Sequence, residues 1–240
     1  MRCKTIIIIF LITLCLIIFT LSITILIKDF VAYKENNNFT QQLIQDVVQV
    51  DETTEESYIN WQQLQKINSD IVGWIEIQNT SINYPILKDN NLYYMNHSYD
   101  KKYNKNGSIF TTNDAPFIEQ ETVIYGHNMK NGTMFSELGK YRKKDFLDSN
   151  NIIKIYTPTG DYECEIFSVY STCIDDENNN IKSLNFEERI EYYKKSSKYS
   201  ITNVENISKI VKLSTCSYIN AKTTPTDQRY YILASIIPIM

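Results

Sequence analysis

Residues 5–27, "TIIIIFLITLCLIIFTLSITILI", hold no charged side chain, no glycine and no proline. A run of 23 such residues is long enough to cross a hydrocarbon core as a helix, for which about 20 suffice. It exceeds the apolar stretch of a cleaved signal peptide, about 7–15 residues, and no small-residue cleavage site follows it in "KDFVAYKEN". Bulky Leu14 and the continuing apolar run argue against lipidation at Cys15. Arg2 and Lys4 precede the run, whereas Lys28 and Lys34 each lie near an acid, Asp29 and Glu35. The bias is towards an inside N-terminus. The expected layout is a cytoplasmic segment 1–4, an uncleaved transmembrane signal anchor 5–27, a linker with an N-terminal helix 28–54, and an extracytoplasmic domain 55–240 that carries the function. The chain is expected in the cell membrane, with a single pass.

The remainder of the 240 residues is enough for one domain with a real core. A formal net charge of -4 gives no basic face, so nucleic acid is not an expected partner. The five cysteines do not form a disulfide framework. Cys164 and Cys173 lie on one strand-like stretch at an odd offset. They are expected to face opposite ways and to act as small buried hydrophobes.

"KENNNFTQQ" reads as a polar linker. Apolar residues recur at helical spacing over 40–68 (Leu43, Val47, Tyr58, Trp61, Leu64, Ile67), interrupted by "DETTEES", which predicts two short helices. From residue 71 the pattern changes to strands: "IVGWIEIQN", "SINYPILKD", "GSIFTT", "ETVIYGHN", "NIIKIYTP", "DYECEIFSVYSTC", "SKIVKLSTC" and "RYYILASIIP". "NLYYMNHSYD" and "GTMFSELGKYRKKDFLDSN" read as short helical turns, "DDENNN" as a loop, and "SLNFEERIEYYKKSSKYS" as the best helix. The fold class is mainly β with helical additions, an all-β barrel or sandwich.

In "KIVKLSTCSY", alternation puts Val211, Leu213 and Thr215 on one face and Lys212, Ser214 and Cys216 on the other. Cys216 then points out of the core at a strand end, a poor place for a structural cysteine. The chain has only two histidines. His127 also ends a strand, and Arg229 opens the last one. A thiol needs a base or an imidazolium to act as a nucleophile near neutral pH, and acyl transfer needs a donor for its oxyanion. Cysteine, histidine and arginine on neighbouring strand ends supply these roles. His97 reads as a polar loop residue. No H-x-x-x-H or C-x-x-C points to a metal site. Tyr93, Tyr94 and Tyr103 read as core and groove wall.

"LSTCSY" before an Arg-led strand, with "YGHNM", resembles the sortases, membrane-anchored cysteine transpeptidases of Gram-positive bacteria. "NGSIFTTNDAP", "YGHNMKNGTMFSELGKY" and the helical segment 183–200 look like class B sortases, over roughly residues 55–238. The resemblance implies a closed eight-stranded β-barrel with N-terminal helices and a helix inserted before the penultimate strand. It implies Cys216 as nucleophile, His127 as general acid and base, and Arg229 as the group that positions substrate and steadies the oxyanion. Ser217 stands where several relatives carry an acid, and no role is assigned to it. The implied reaction cleaves a C-terminal sorting motif of secreted proteins through a thioacyl-enzyme and passes them to a peptidoglycan precursor amine, with no cofactor. Two rivals stay open: a cell-envelope cysteine peptidase that only hydrolyses, and a non-catalytic anchored binding domain. The peptidase reading fits less well, because papain-like enzymes usually carry the cysteine at a helix N-terminus, upstream of the histidine.

Overall fold

The structure is a computed structural model that describes residues 2–50, 57–201, 204–219 and 226–239. It divides into two compact units, residues 1–60 and 61–240.

In the first unit, helix α1 (Arg2–Val47) contains the apolar run and continues through the polar "KENNNFTQQ". The expected linker is therefore helical. The chain has no glycine before Gly73 and no proline before Pro85, so nothing in this stretch breaks the helix. Thr5–Ile27 has no buried residue, and its mean hydropathy is 3.2. The first of the two expected short helices is the end of α1. Tyr58, expected on the second, lies instead on a strand: β1 (Val48–Val50) and β2 (Ser57–Ile59) pair antiparallel. Most of "DETTEES" lies outside the described residues.

The second unit opens with α2 (Trp61–Ile67) and then winds eight strands into a closed barrel. These are β3 (Ile71–Glu76), β4 (Asn83–Lys88), β5 (Ile109–Thr111), β6 (Glu121–Tyr125), β7 (Ile152–Thr157), β8 (Gly160–Cys173), β9 (Ile210–Cys216) and β10 (Gln228–Pro238). Their order around the barrel is β10-β8-β7-β3-β4-β5-β6-β9. Two neighbouring pairs, β4–β5 and β6–β9, are parallel, and the other pairs are antiparallel. The barrel closes through β6–β9 and β9–β10. Between the strands lie 3-10 turns at Tyr93–Met95 and Ser136–Arg142, and helix α3 (Lys144–Ser149).

Inward side chains such as Ile75, Ile86, Ile124, Leu213 and Ile232 fill the barrel. A second apolar layer covers its outside, where Phe186, Ile190 and Tyr193 pack on Phe167, Tyr170, Tyr231 and Leu233. They belong to α5 (Phe186–Ser196), the predicted helix. Asn185 and Glu188 start it with a reciprocal capping box, each side chain bonding the other's main-chain N–H at 2.9 Å. Because both faces of β10 are covered, "RYYILASII" is apolar almost throughout rather than alternating.

Three expectations are corrected. "DDENNN" is not a loop but part of α4 (Ile174–Ile181), whose first turn carries Asp175, Asp176 and Glu177. Carboxylates are favoured against the positive end of the helix dipole. The non-core face of β9 is buried too: Lys212 and Ser214 are nearly inaccessible. Cys164 and Cys173 share a face. Opposite them on β10 stand Ile236 and Gln228, an even offset, because Phe167 is an extra residue between Ser168 and Ile166 in the ladder. This bulge resets the alternation. At about 3.3 Å per residue, the two thiols still lie far beyond disulfide reach. Both are free: Cys164 is buried in the barrel, and Cys173 is half-buried with its thiol 3.5 Å from Asp227 Oδ2. Burial pushes the Cys164 thiol well above the usual range, so it stays protonated.

Candidate active site

Strand direction decides which residues meet. β6 and β9 run parallel, and β9 and β10 antiparallel. The C-terminal ends of β6 and β9 and the N-terminal end of β10 therefore lie at one rim of the barrel. Those ends carry His127, Cys216 and Arg229. Cys216 and Arg229 are direct cross-strand partners, and both point out of the barrel like Tyr231 and Leu233. The outward direction expected for Cys216 is the observed one, and the thiol is half-buried rather than sealed.

The Arg229 guanidinium curls back on its own loop. Nη1 donates to the carbonyls of Thr226 at 2.9 Å and Gln228 at 3.1 Å. These bonds fix one edge of the guanidinium on the loop that leads into β10, while the Arg229 main chain pairs with that of Cys216.

His127 follows Gly126, where a Cβ would lie 2.5 Å from Ile109 Cδ1 and 2.7 Å from the Phe135 ring. Only glycine lets the chain pass this close. The main chain is fixed on both sides. Gly126 N–H donates to Ser214 O at 3.2 Å, and Phe135 N–H donates to His127 O at 2.9 Å. The imidazole Nε2 lies 2.7 Å from Met95 O. A carbonyl only accepts, so Nε2 carries the proton and Nδ1 is the ring's acceptor.

Two participants in this geometry are not singled out by the sequence analysis. One is the Met95 carbonyl. The other is Asn128, whose Nδ2 donates to Cys216 O at 2.7 Å. The "HN" dipeptide is a visible signal, but its partner lies 88 residues away. Ser217 N–H donates to Gln228 O at 2.9 Å, so the peptide after Cys216 is held at both its ends. The Ser217 side chain is fully buried, and its Oγ has no partner among the described residues.

His97 is fastened within its loop. It stacks on Tyr93 at 3.8 Å, and its Nδ1 lies 2.8 Å from Tyr93 O. Tyr94 is buried, and Tyr93 and Tyr103 are largely exposed. Among the described residues, no group of three or more His, Cys, Asp or Glu is placed to hold a metal ion.

The turn that carries Met95 is braced from below. Tyr94 OH donates to Asp70 Oδ2 at 2.7 Å and accepts from Asn68 Nδ2 at 2.7 Å, and Lys101 Nζ lies 3.0 Å from Asp70. Partial burial opposes ionisation of Asp70, but the Tyr94 hydroxyl and the Lys101 ammonium outweigh it and hold the carboxyl below its ordinary value. A folded value below the unfolded one stabilises fully above the unfolded value, about 4, and the contribution is lost as pH falls through the folded value. The melting temperature of the wild type is accordingly expected to fall more steeply than that of Asp70→Asn between pH 5 and 3, to be read by circular dichroism. A surface cavity of about 530 Å³ opens beside this brace, lined by Asp70, Lys88, Asp89, Tyr93 and Lys101 among others. Cys216, His127 and Arg229 do not line it.

The sortase domain model matches residues 75–237. Sortase B of Listeria monocytogenes is 42% identical over 161 residues, 64% of this chain and 65% of that one. The match therefore spans just under two thirds of that relative's length. Sortase B of Staphylococcus aureus is 34% identical over 189 residues, 75% of each chain. The crystal structure of sortase B from B. anthracis in complex with AAEK1 superposes with a TM-score of 0.69 at 28% identity, covering 88% of this chain and 100% of that one.

Proposed function

Because the chain belongs to the sortase family, a family of cysteine transpeptidases, we propose that it cleaves a sorting motif and transfers the acyl part to an amine, with Cys216, His127 and Arg229 in the catalytic roles. The observation that carries this reading is the cross-strand pairing of Cys216 with Arg229, with His127 ending the strand parallel to that of Cys216.

His127 Nδ1 takes the Cys216 thiol proton as the sulfur attacks the scissile carbonyl of a C-terminal sorting motif, and a C–S bond forms. Free N–H groups of Arg229 steady the oxyanion. His127 gives its proton to the departing amine as the C–N bond breaks, which leaves a thioacyl-enzyme. An acceptor amine then attacks. His127 takes its proton, a new C–N bond forms, and the Cys216 thiolate departs. The acceptor is a peptidoglycan precursor amine and the donors are secreted proteins. Both meet an enzyme tethered by α1 with its barrel outside the membrane.

The test incubates the full chain in detergent with a library of sorting-motif peptides, with and without diglycine or diaminopimelate, and reads products by mass spectrometry. An amine-dependent ligated product and a Cys216 thioester are expected. Cleavage with no ligated product under any amine would favour an envelope peptidase. No cleavage, with Cys216 no more reactive than Cys173, would leave a binding domain.

A further inference from the structure

The parallel ladder between β6 and β9 ends one step early. Its last register pair is Tyr125 with Ser214, and the Gly126 N–H donates to Ser214 O. In a parallel ladder the next such bond would run from the main-chain N–H of Asn128 to Cys216 O. The Cys216 carbonyl is instead bonded by the Asn128 side chain, at 2.7 Å. Because that carbonyl only accepts, the amide nitrogen must be the group that faces it. A side-chain amide reaches farther from the chain axis than a main-chain N–H. Where His127 and Cys216 sit, the two strand ends are therefore tied by a side chain rather than by a ladder bond.

The backbone of Asn128 is itself fixed. It bridges to Met134, a buried residue at φ 56°, a conformation that non-glycine residues adopt at a cost. The splint is thus rigid at its base and bonded at its tip.

We propose that Asn128 is a positioning residue of the transfer reaction. Its amide replaces a main-chain ladder bond, fixes the Cys216 carbonyl, and holds the His127 strand end at a set offset, so that a scissile peptide fits between base and nucleophile. This inference rests on the assignment of Cys216 and His127 given above.

The test uses the full chain in detergent. Three quantities are measured: kcat and KM on a cleaved peptide, the pH profile of Cys216 alkylation by iodoacetamide, and the melting temperature. Asn128→Ala is expected to lower kcat about a hundredfold, the scale of an ångström-size misplacement. KM should change little, the alkylation profile should move, and the melting temperature should stay near that of the wild type. Asn128→Asp keeps the shape but turns an acceptor towards an acceptor. Its activity relative to wild type is expected to rise as pH falls, because a protonated carboxyl donates again.

Wild-type kcat and alkylation profile in Asn128→Ala would overturn the inference. So would an Asp variant whose activity relative to wild type is flat with pH, a result that decides the matter even where the Ala variant does not fold. Full activity in Cys216→Ala would instead sink the catalytic assignment. A dead Cys216→Ala beside a fully active Asn128→Ala removes the positioning role alone.

Discussion

Cys216→Ala is expected to abolish peptide cleavage and ligation, a loss of about 10⁴-fold or more, as removal of a covalent nucleophile does elsewhere. No other described cysteine can take over. Cys164 is sealed in the barrel with its thiol held protonated, and Cys173 lies on the other side of β10 from Cys216, beside Asp227. Cys3 and Cys15 belong to helix α1, in the other unit of the chain. The β9–β10 ladder does not depend on the thiol, because Cys216 joins it through main-chain pairing with Arg229. The variant should therefore melt with the wild type, and the loss would be chemical rather than structural. Product formation by mass spectrometry, beside a thermal melt, separates the two. Residual turnover within about tenfold of wild type would remove Cys216 from the nucleophile's role.

The second large effect lies one layer beneath the site. Lys212, on β9, is ion-paired with Glu177 of α4, and both side chains are almost wholly buried. Glu177 also accepts from Tyr170 OH at 2.7 Å and Tyr192 OH at 3.2 Å. The Lys212 ammonium sits over the rings of Tyr193 and Tyr231, at 4.7 and 4.4 Å. Burial and the neighbouring Glu177 carboxylate push the Tyr170 phenol far above its usual range, so it remains a donor. A buried pair this well bonded gives little net stability over apolar side chains of similar size, but breaking one half strands a charge. Glu177→Gln is expected to cost about 3–5 kcal/mol, seen as a fall in the urea midpoint at unchanged slope. The double change Glu177→Leu with Lys212→Met should recover most of that loss. If the single change costs under about 1 kcal/mol, the range of ordinary surface pairs, the pair is not what anchors α4 to β9.

Parts of this were legible in the sequence for identifiable reasons. Alternation in "KIVKLSTC" fixes which way Cys216 points, because the strand has no bulge. The same rule fails for Cys164 and Cys173, because the bulge at Phe167 depends on the partner strand. "DDENNN" carries loop composition, and it becomes a helix because Glu177 has a buried lysine to meet. Lys212 lies on the face of β9 that points away from the barrel core, and it is buried because Glu177 meets it there. His127 and Cys216 could be singled out as strand-end residues, but the bond from Asn128 to Cys216 O could not. It exists only because β6 and β9 lie side by side, and nothing local in either segment encodes that neighbour.

That adjacency has a consequence in time. The seam between β6 and β9 joins register partners 89 residues apart, Glu121 with Ile210 to Tyr125 with Ser214, among the most distant pairings in the barrel. Contacts of such separation incur their loop entropy before they return any stabilisation, so they form late in folding. Cys216 and His127 lie on the two strand ends of this seam, so they become neighbours only when the barrel shuts. On the proposed assignment, the Cys216 thiol would lack its partner until the last strands were in place. On warming, activity should be lost with the opening of this one seam, ahead of the sequence-local β7–β8 hairpin across the barrel.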